Sequence, residues 1–221
     1  MADSLHRKLQ GSLSASLHIL AVVFAAPCFA ARPFFTDDAR IVERGHCQLE
    51  TFYKEQRTYK GSEFWLLPAC NPLGFELTLG ANRIEHERNA IVQAKFLFKE
   101  LQTNRSGYAL SVGSFGGDPY FNGIGSFSFL DDRAVIHANL GAIRNPDADR
   151  GTWGLGLEAL LVAPQLYGIA ETFGQRGDKA TRHLGLRYWV VPGRFQIDAT
   201  RGDQDASPAR RFYSLGLRFI F

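Results

Sequence analysis

Histidine, serine and acidic side chains are the first candidates for chemistry in this 221-residue chain, which has six histidines. A lipid-acting hydrolase brings a serine and a histidine together, with a carboxylate or amide orienting the imidazole. His137 and His183 lie in alternating segments whose register turns both rings away from the apolar face, and neither has an evident serine partner. A rim protease would pair His86 with loop acids such as Asp118, Asp147 or Asp203, but loop aspartates are far more often simply solvated. No glycine-rich phosphate loop and no zinc motif occurs. The chain offers no catalytic constellation, so the expectation is a protein that is not an enzyme and has no cofactor and no metal.

Two further groups could do chemistry. Cys47 and Cys70 are the cysteines that remain once an N-terminal leader is discounted, and in an oxidising compartment such a pair reads as a disulfide. Centring the first hairpin near Thr58 and Tyr59 sets the two almost opposite each other on neighbouring antiparallel strands. His46 beside Cys47 suggests a metal alternative, for which further ligands are lacking nearby. Thr36-Asp37-Asp38 supplies two carboxylates, whereas Ca²⁺ takes six or more oxygens. A cap, a turn or a site for a periplasmic partner suits that segment as well.

The elements that must position these groups are strands. The composition is 45% hydrophobic and 21% charged, with 22 glycines and 18 phenylalanines, which argues against disorder. A net charge of +3 is too small to suggest nucleic-acid binding. Mean hydropathy is −0.14, and no apolar run is long enough for a membrane helix. Arg7 and Lys8, the apolar stretch Leu17 to Ala26 and the small residues Cys28 and Ala30 have the anatomy of a secretory signal peptide cut after Ala30. The chain therefore divides into a signal peptide at 1–30, a periplasmic lead segment at 31–45 and a barrel at 46–221.

Alternation of period two dominates from residue 46 onward. Tyr213, Leu215, Leu217, Phe219 and Phe221 alternate with Ser214, Gly216 and Arg218. The same pattern runs through Phe75–Asn82, Val92–Lys99, His183–Val190 and Phe195–Thr200. Strands are predicted near 46–57, 62–70, 74–82, 90–99, 107–115, 122–130, 134–143, 152–163, 166–173, 182–190, 194–201 and 211–221. Short connections at one end and mostly longer, polar ones at the other (83–89, 116–121, 144–151, 174–181 and 202–210) describe an outer-membrane barrel. The fold class is all-β: a transmembrane up-and-down antiparallel barrel of about twelve strands (10–12 allowed). A soluble exported sandwich or lipocalin-like barrel is the alternative, disfavoured because the apolar faces are too large and aromatic to be buried inside.

The last strand holds the most specific signal. Ser214, Gly216, Phe219 and Phe221 place a polar residue, a glycine and two aromatics where they resemble the insertion signal read by the barrel assembly machinery. The opening Arg32-Pro33-Phe34-Phe35-Thr36-Asp37-Asp38-Ala39, then Gly45 and Gln48-Leu49-Glu50, resembles that of a family of predicted outer-membrane proteins named for the meta-cleavage pathway of phenol degradation. Leu186–Pro192 and Phe195–Thr200 are similar to that family's penultimate hairpin. Members are often labelled transporters, so the resemblance implies a barrel more firmly than any solute.

If Phe219 faces lipid, the inward set includes Glu76, Lys95, Lys99, His137, Asn139, Glu158, His183, Arg187, Gln196, Asp198 and Arg218. Asp198 lies between the strands bearing Arg187 and Arg218, so an inward ion-pair network is expected. The lining suits a porin-like channel or transporter for small solutes, or a structural barrel whose lumen is plugged by paired charges. A barrel enzyme is the less favoured third reading. Outer-membrane lipid, the assembly machinery and small solutes are the expected partners, the cell outer membrane is the location, and nucleic acid is not a partner.

Overall fold

Long strands with one continuous apolar face cannot leave that face, or their edges, unsatisfied, and closure into a ring removes the edges altogether. A computed structural model of the chain, which describes residues 35–57, 61–144, 148–205 and 210–221, shows such a ring. The expected signal peptide at 1–30 lies outside the described residues. The first six strands are β1 (Cys47–Gln56), β2 (Gly61–Cys70), β3 (Glu76–Ile84), β4 (Glu87–Lys99), β5 (Ser106–Phe115) and β6 (Asp118–Phe129). Six more complete the circuit: β7 (Ala134–Arg144), β8 (Asp149–Val162), β9 (Leu166–Gln175), β10 (Thr181–Val191), β11 (Phe195–Gln204) and β12 (Arg210–Ile220). Each strand pairs antiparallel with its sequence neighbours, and β12 closes the barrel on β1, with Phe219 opposite Leu49 and Gly216 opposite Phe52. The barrel is all-β, antiparallel and twelve-stranded, as the alternation predicts.

The two faces are inverted relative to a soluble protein. Leu79, Phe98, Leu140, Leu155, Leu184, Leu186, Leu215 and Phe219 point outward and are exposed. Glu76, Lys95, His137, Arg187, Asp198 and Arg218 point inward and are buried. An apolar belt around the whole circumference, with a polar interior, is the arrangement that a barrel in lipid requires. The soluble sandwich alternative fails on this point.

Connections at the end opposite the termini are shorter than the sequence suggests. β3 and β4 are joined by Glu85-His86 alone, and β5 and β6 by Gly116-Gly117. Gly116 and Gly117 both take positive φ (60° and 99°), which a tight two-residue hairpin turn demands. Residues 87–89 and 118–121 continue the strand ladder rather than forming loops, because backbone pairing carries on up to the turns.

At the other end Cys47 and Cys70 face each other across β1 and β2 and are joined in a disulfide. Backbone bonds from Gly45 N to Asn71 O and from Asn71 N to His46 O, 2.8 and 3.0 Å, flank the bridge. Mass spectrometry of unreduced, alkylated protein is expected to show both thiols protected, and two freely alkylated cysteines would contradict the bridge.

Candidate functional site

The lumen is where the chemistry-bearing residues converge, and it is occupied by the chain itself. From Cys47 the backbone runs back through residues 46–35 into the barrel interior. Val42 N donates to Glu76 Oε2 (3.0 Å) and Val42 O accepts from Asn71 Nδ2 (2.7 Å), close to the terminal end. Farther in, Ala39 N donates to Ser126 Oγ (2.8 Å). At the level above, Asn139 reads both sides of one peptide: its Oδ1 accepts from Asp37 N (2.6 Å) and its Nδ2 donates to Asp37 O (2.8 Å). Glu171 accepts the amides of Phe35 and Thr36. Side chains from four strands and from Asn71 in the β2–β3 turn thus satisfy the backbone of a segment that forms no ladder of its own, as a buried backbone requires.

Charge seats the same segment. Lys95 Nζ lies 2.8 Å from Asp37 Oδ1 and 3.4 Å from Asp38 Oδ1, and all three residues are buried. Asp37-Asp38 is therefore a lumenal anchor. This differs from the expected lead segment on the periplasmic side, with a cap, turn or partner site at Thr36-Asp37-Asp38, because the lumen supplies the cation and amide partners that two buried acids need. Gly154 allows the approach: a Cβ there would come within 2.5 Å of Thr36 Oγ1. Above Asp37, Phe35 stacks on Phe173 (centroids 4.5 Å) and meets Phe52 and Trp65 edge-on at 6.0 Å.

The wall has its own network. Arg187, opposite Asp198 in the β10–β11 register, donates from Nε and Nη2 to that carboxylate at 3.1 and 2.9 Å and from Nη1 to Glu158. Gln196 Nε2 adds a 2.7 Å bond to Asp198. Asp198 faces Gly216 in the β11–β12 register, and Arg218 reaches to β1, where Nε meets Gln48 Oε1 at 2.9 Å and Glu50 Oε1 at 3.5 Å. His183 bonds Glu171 through Nε2 and approaches Thr200 through Nδ1.

Two more expectations change. Lys99 leaves the lining: a register shift between Leu97 and Lys99 places it opposite outward Tyr108, with its ammonium 5.6 Å from that ring. A bulge of this kind re-aims one side chain. His137 also proves to have a serine partner, because Ser126 Oγ lies 2.8 Å from its Nδ1, with Glu158 Oε1 3.4 Å from its Nε2. Serine, histidine and glutamate stand in relay order, yet both Ser126 and His137 are fully buried, and the Ser126 oxygen accepts the Ala39 amide. Their present work is to hold the lead segment.

Glu76, Lys95, His137, Asn139, Glu158, His183, Arg187, Gln196, Asp198 and Arg218 all face the lumen and are buried. Sequence reasoning missed Gln48, Glu50, Lys54, Glu63, Ser126 and Glu171, which share their interior. Lys54 and Glu63 pair at 2.8 Å near the aromatic cluster. Among the described residues no group of three or more His, Cys, Asp or Glu could hold a metal ion.

Open space remains inside the ring on both sides of the seated segment. A cavity of about 440 Å³ at the end opposite the Cys47–Cys70 bridge is lined by Phe35, Gln93, Ser111, Tyr120, Asn122 and Gln175, among others. Another, of about 390 Å³, lies at the terminal end against Arg40, Glu158, Tyr167, Arg187 and Trp189. Between them, around Asp37, Asp38 and Lys95, only about 30 Å³ is empty.

Solved structures share this architecture. The KdgM porin is similar with a TM-score of 0.62 at 13% identity, over 78% of this chain and 98% of that one. The NanC porin gives 0.61 at 8% identity, over 77% and 98%. The outer membrane protein Omp33 of Acinetobacter baumannii gives 0.53 at 11% identity, over 80% and 98%. At such identities the likeness is one of fold, a porin-like outer-membrane barrel. No curated protein matches the chain. The resemblance to the meta-pathway family finds no support in these matches beyond that barrel fold. One family model covers residues 18–221, and by it the chain belongs to the family described as "Uncharacterised conserved protein UCP029691".

Proposed function

We propose that the protein spans the outer membrane as a channel for small solutes and rests closed by its own N-terminal segment. The observation that carries this reading is the pair of lumenal cavities at opposite ends, separated by one layer of chain at Thr36–Ala39. A barrel serving only as a scaffold needs no such paired vestibules. The described likeness to porins supports the same reading, and the signal-peptide anatomy of residues 1–30 supports export.

Planar-bilayer recording tests the proposal. The mature chain is expected to show rare or brief openings, and a chain lacking residues 31–42 to show sustained conductance. A truncated chain that folds, as judged by heat-modifiable mobility, and yet never conducts would overturn the channel reading in favour of a structural barrel.

The terminal strand supports a role for the barrel assembly machinery as partner, since β12 forms the closing seam with β1 and brings Phe219 and Phe221 together at the C-terminal end, their rings stacked at 5.7 Å. Replacing Phe221 with aspartate is expected to leave unfolded protein in the periplasm. Normal membrane-embedded protein after that change would defeat the assignment.

A further inference from the structure

One cavity of the molecule lies on its outside. A cleft of about 710 Å³ runs along the outer wall over β8, β9 and β10 on the half of the barrel remote from the termini. Leu155, Leu157 and Leu184 form its sides, and Ala170 and Thr172 form its floor. The floor is low because β9 turns small residues outward and its neighbours cover only its two ends. Trp153 lies over Gly174, where a Cβ would touch the indole at 3.4 Å, and Leu161 lies over Gly168 at 3.5 Å. Between those two lids Ala170 and Thr172 are half-buried and line the cleft.

Charge marks one end of the cleft. Arg182, Arg201 and Asp203 line it toward the loop side. Arg182 is engaged with Asp205 at 2.6 Å. Arg201, exposed and set between Leu184 and Tyr213 in the strand register, forms no ion pair or hydrogen bond with any described residue. An arginine at the edge of an apolar belt is costly in lipid unless it reaches the headgroup level and meets an anion there. Guanidinium groups pair readily with phosphate, in a bidentate geometry.

We infer that this cleft binds one phosphorylated, multiply acylated lipid of the outer leaflet, with acyl chains laid on Ala170 between the leucines and a phosphate on Arg201. The occupant is lipid A rather than a two-chain phospholipid, because the cleft and its cation lie in the loop-side half, which faces the outer leaflet. The inference rests on the outer-membrane placement proposed above and not on the channel. Failure of the barrel to insert into outer-membrane vesicles would sink the placement, while the outcomes below judge the cleft alone.

Native mass spectrometry of the detergent-solubilised mature protein, mixed with bisphosphorylated lipid A or with phosphatidylethanolamine, supplies the test. Lipid A is expected to be retained as a one-to-one adduct, reduced at least tenfold by Arg201→Ala and by Ala170→Leu and largely preserved by Arg201→Lys. Lipid A stripped of its phosphates should bind like the Arg201→Ala variant. Equal retention of phosphatidylethanolamine, or retention of lipid A indifferent to both substitutions, would overturn the inference. All three variants lie on the outer wall away from the lumenal network, and their folding is checked by heat-modifiable mobility.

Discussion

Replacing Arg187 with alanine is expected to destabilise the folded barrel by about 3–5 kcal/mol, the usual cost of removing one partner from a buried ion pair. The guanidinium is 1% exposed and is shared between Asp198 on β11 and Glu158 on β8. Its loss leaves two carboxylates buried together without the cation they share. Denaturant unfolding of refolded protein in lipid, or the temperature at which compact mobility is lost on gels, reads the effect. A triple variant that also carries Asp198→Asn and Glu158→Gln should recover much of the loss, because the remaining groups are neutral. Unchanged stability on Arg187→Ala would show that the cluster is wetter than its burial implies.

The second large effect concerns opening rather than stability. Lys95→Ala removes the cation that Asp37 and Asp38 share, while Glu76 remains nearby as a further acid. If the seated segment loses about 3 kcal/mol with this contact, its population relative to the released form falls roughly 150-fold. Lys95→Ala should then conduct like the chain lacking residues 31–42, and Lys95→Arg should stay closed. Arg187→Ala, which acts on the wall and not on the segment, should weaken the barrel without this sustained opening. A Lys95→Ala protein as silent as the parent, beside a truncated chain that conducts, would mean that the backbone contacts to Asn139, Ser126 and Glu171 suffice to hold the segment.

The strands were legible because each needs only its own alternation. Tyr213–Phe221 declares an outward and an inward face without reference to anything else, and closure follows from twelve such segments with no place for an edge. The disulfide was legible for a similar reason: a hairpin centred on the right turn sets Cys47 against Cys70. Glu50 and Lys54 were harder, since β1 also turns Phe52 inward and Glu55 outward, which blurs its pattern. Lys99 went astray because one bulged residue inverts every later side chain on that strand, and a bulge leaves no mark in periodicity.

Residues 35–42 were not legible at all. They have no repeat, and their partners lie as far as 136 positions away, on strands whose own inward faces looked complete without them. Asp37-Asp38 read as a cap, a turn or a partner site because Lys95 is brought to them only by closure of the whole ring. Ser126 was missed beside His137 for a related reason, since the two meet through β6–β7 pairing and serine is too common to stand out.

A tail that lies inside a closed ring and is continuous with its first strand also constrains the order of events during biogenesis. β1 cannot pair with β12 around an empty centre and then admit Thr36–Ala39 from the side, since a sealed ladder has no gap. Either the tail is in place while the sheet curls, with Glu171, Asn139 and Ser126 meeting it strand by strand, or it threads lengthwise after closure. In the first case the tail works as a mandrel, giving the late strands a surface of defined width to wrap. A bulky fusion at the N-terminus would then disturb the final seam, while the same fusion on a loop at the opposite end would leave it unaffected.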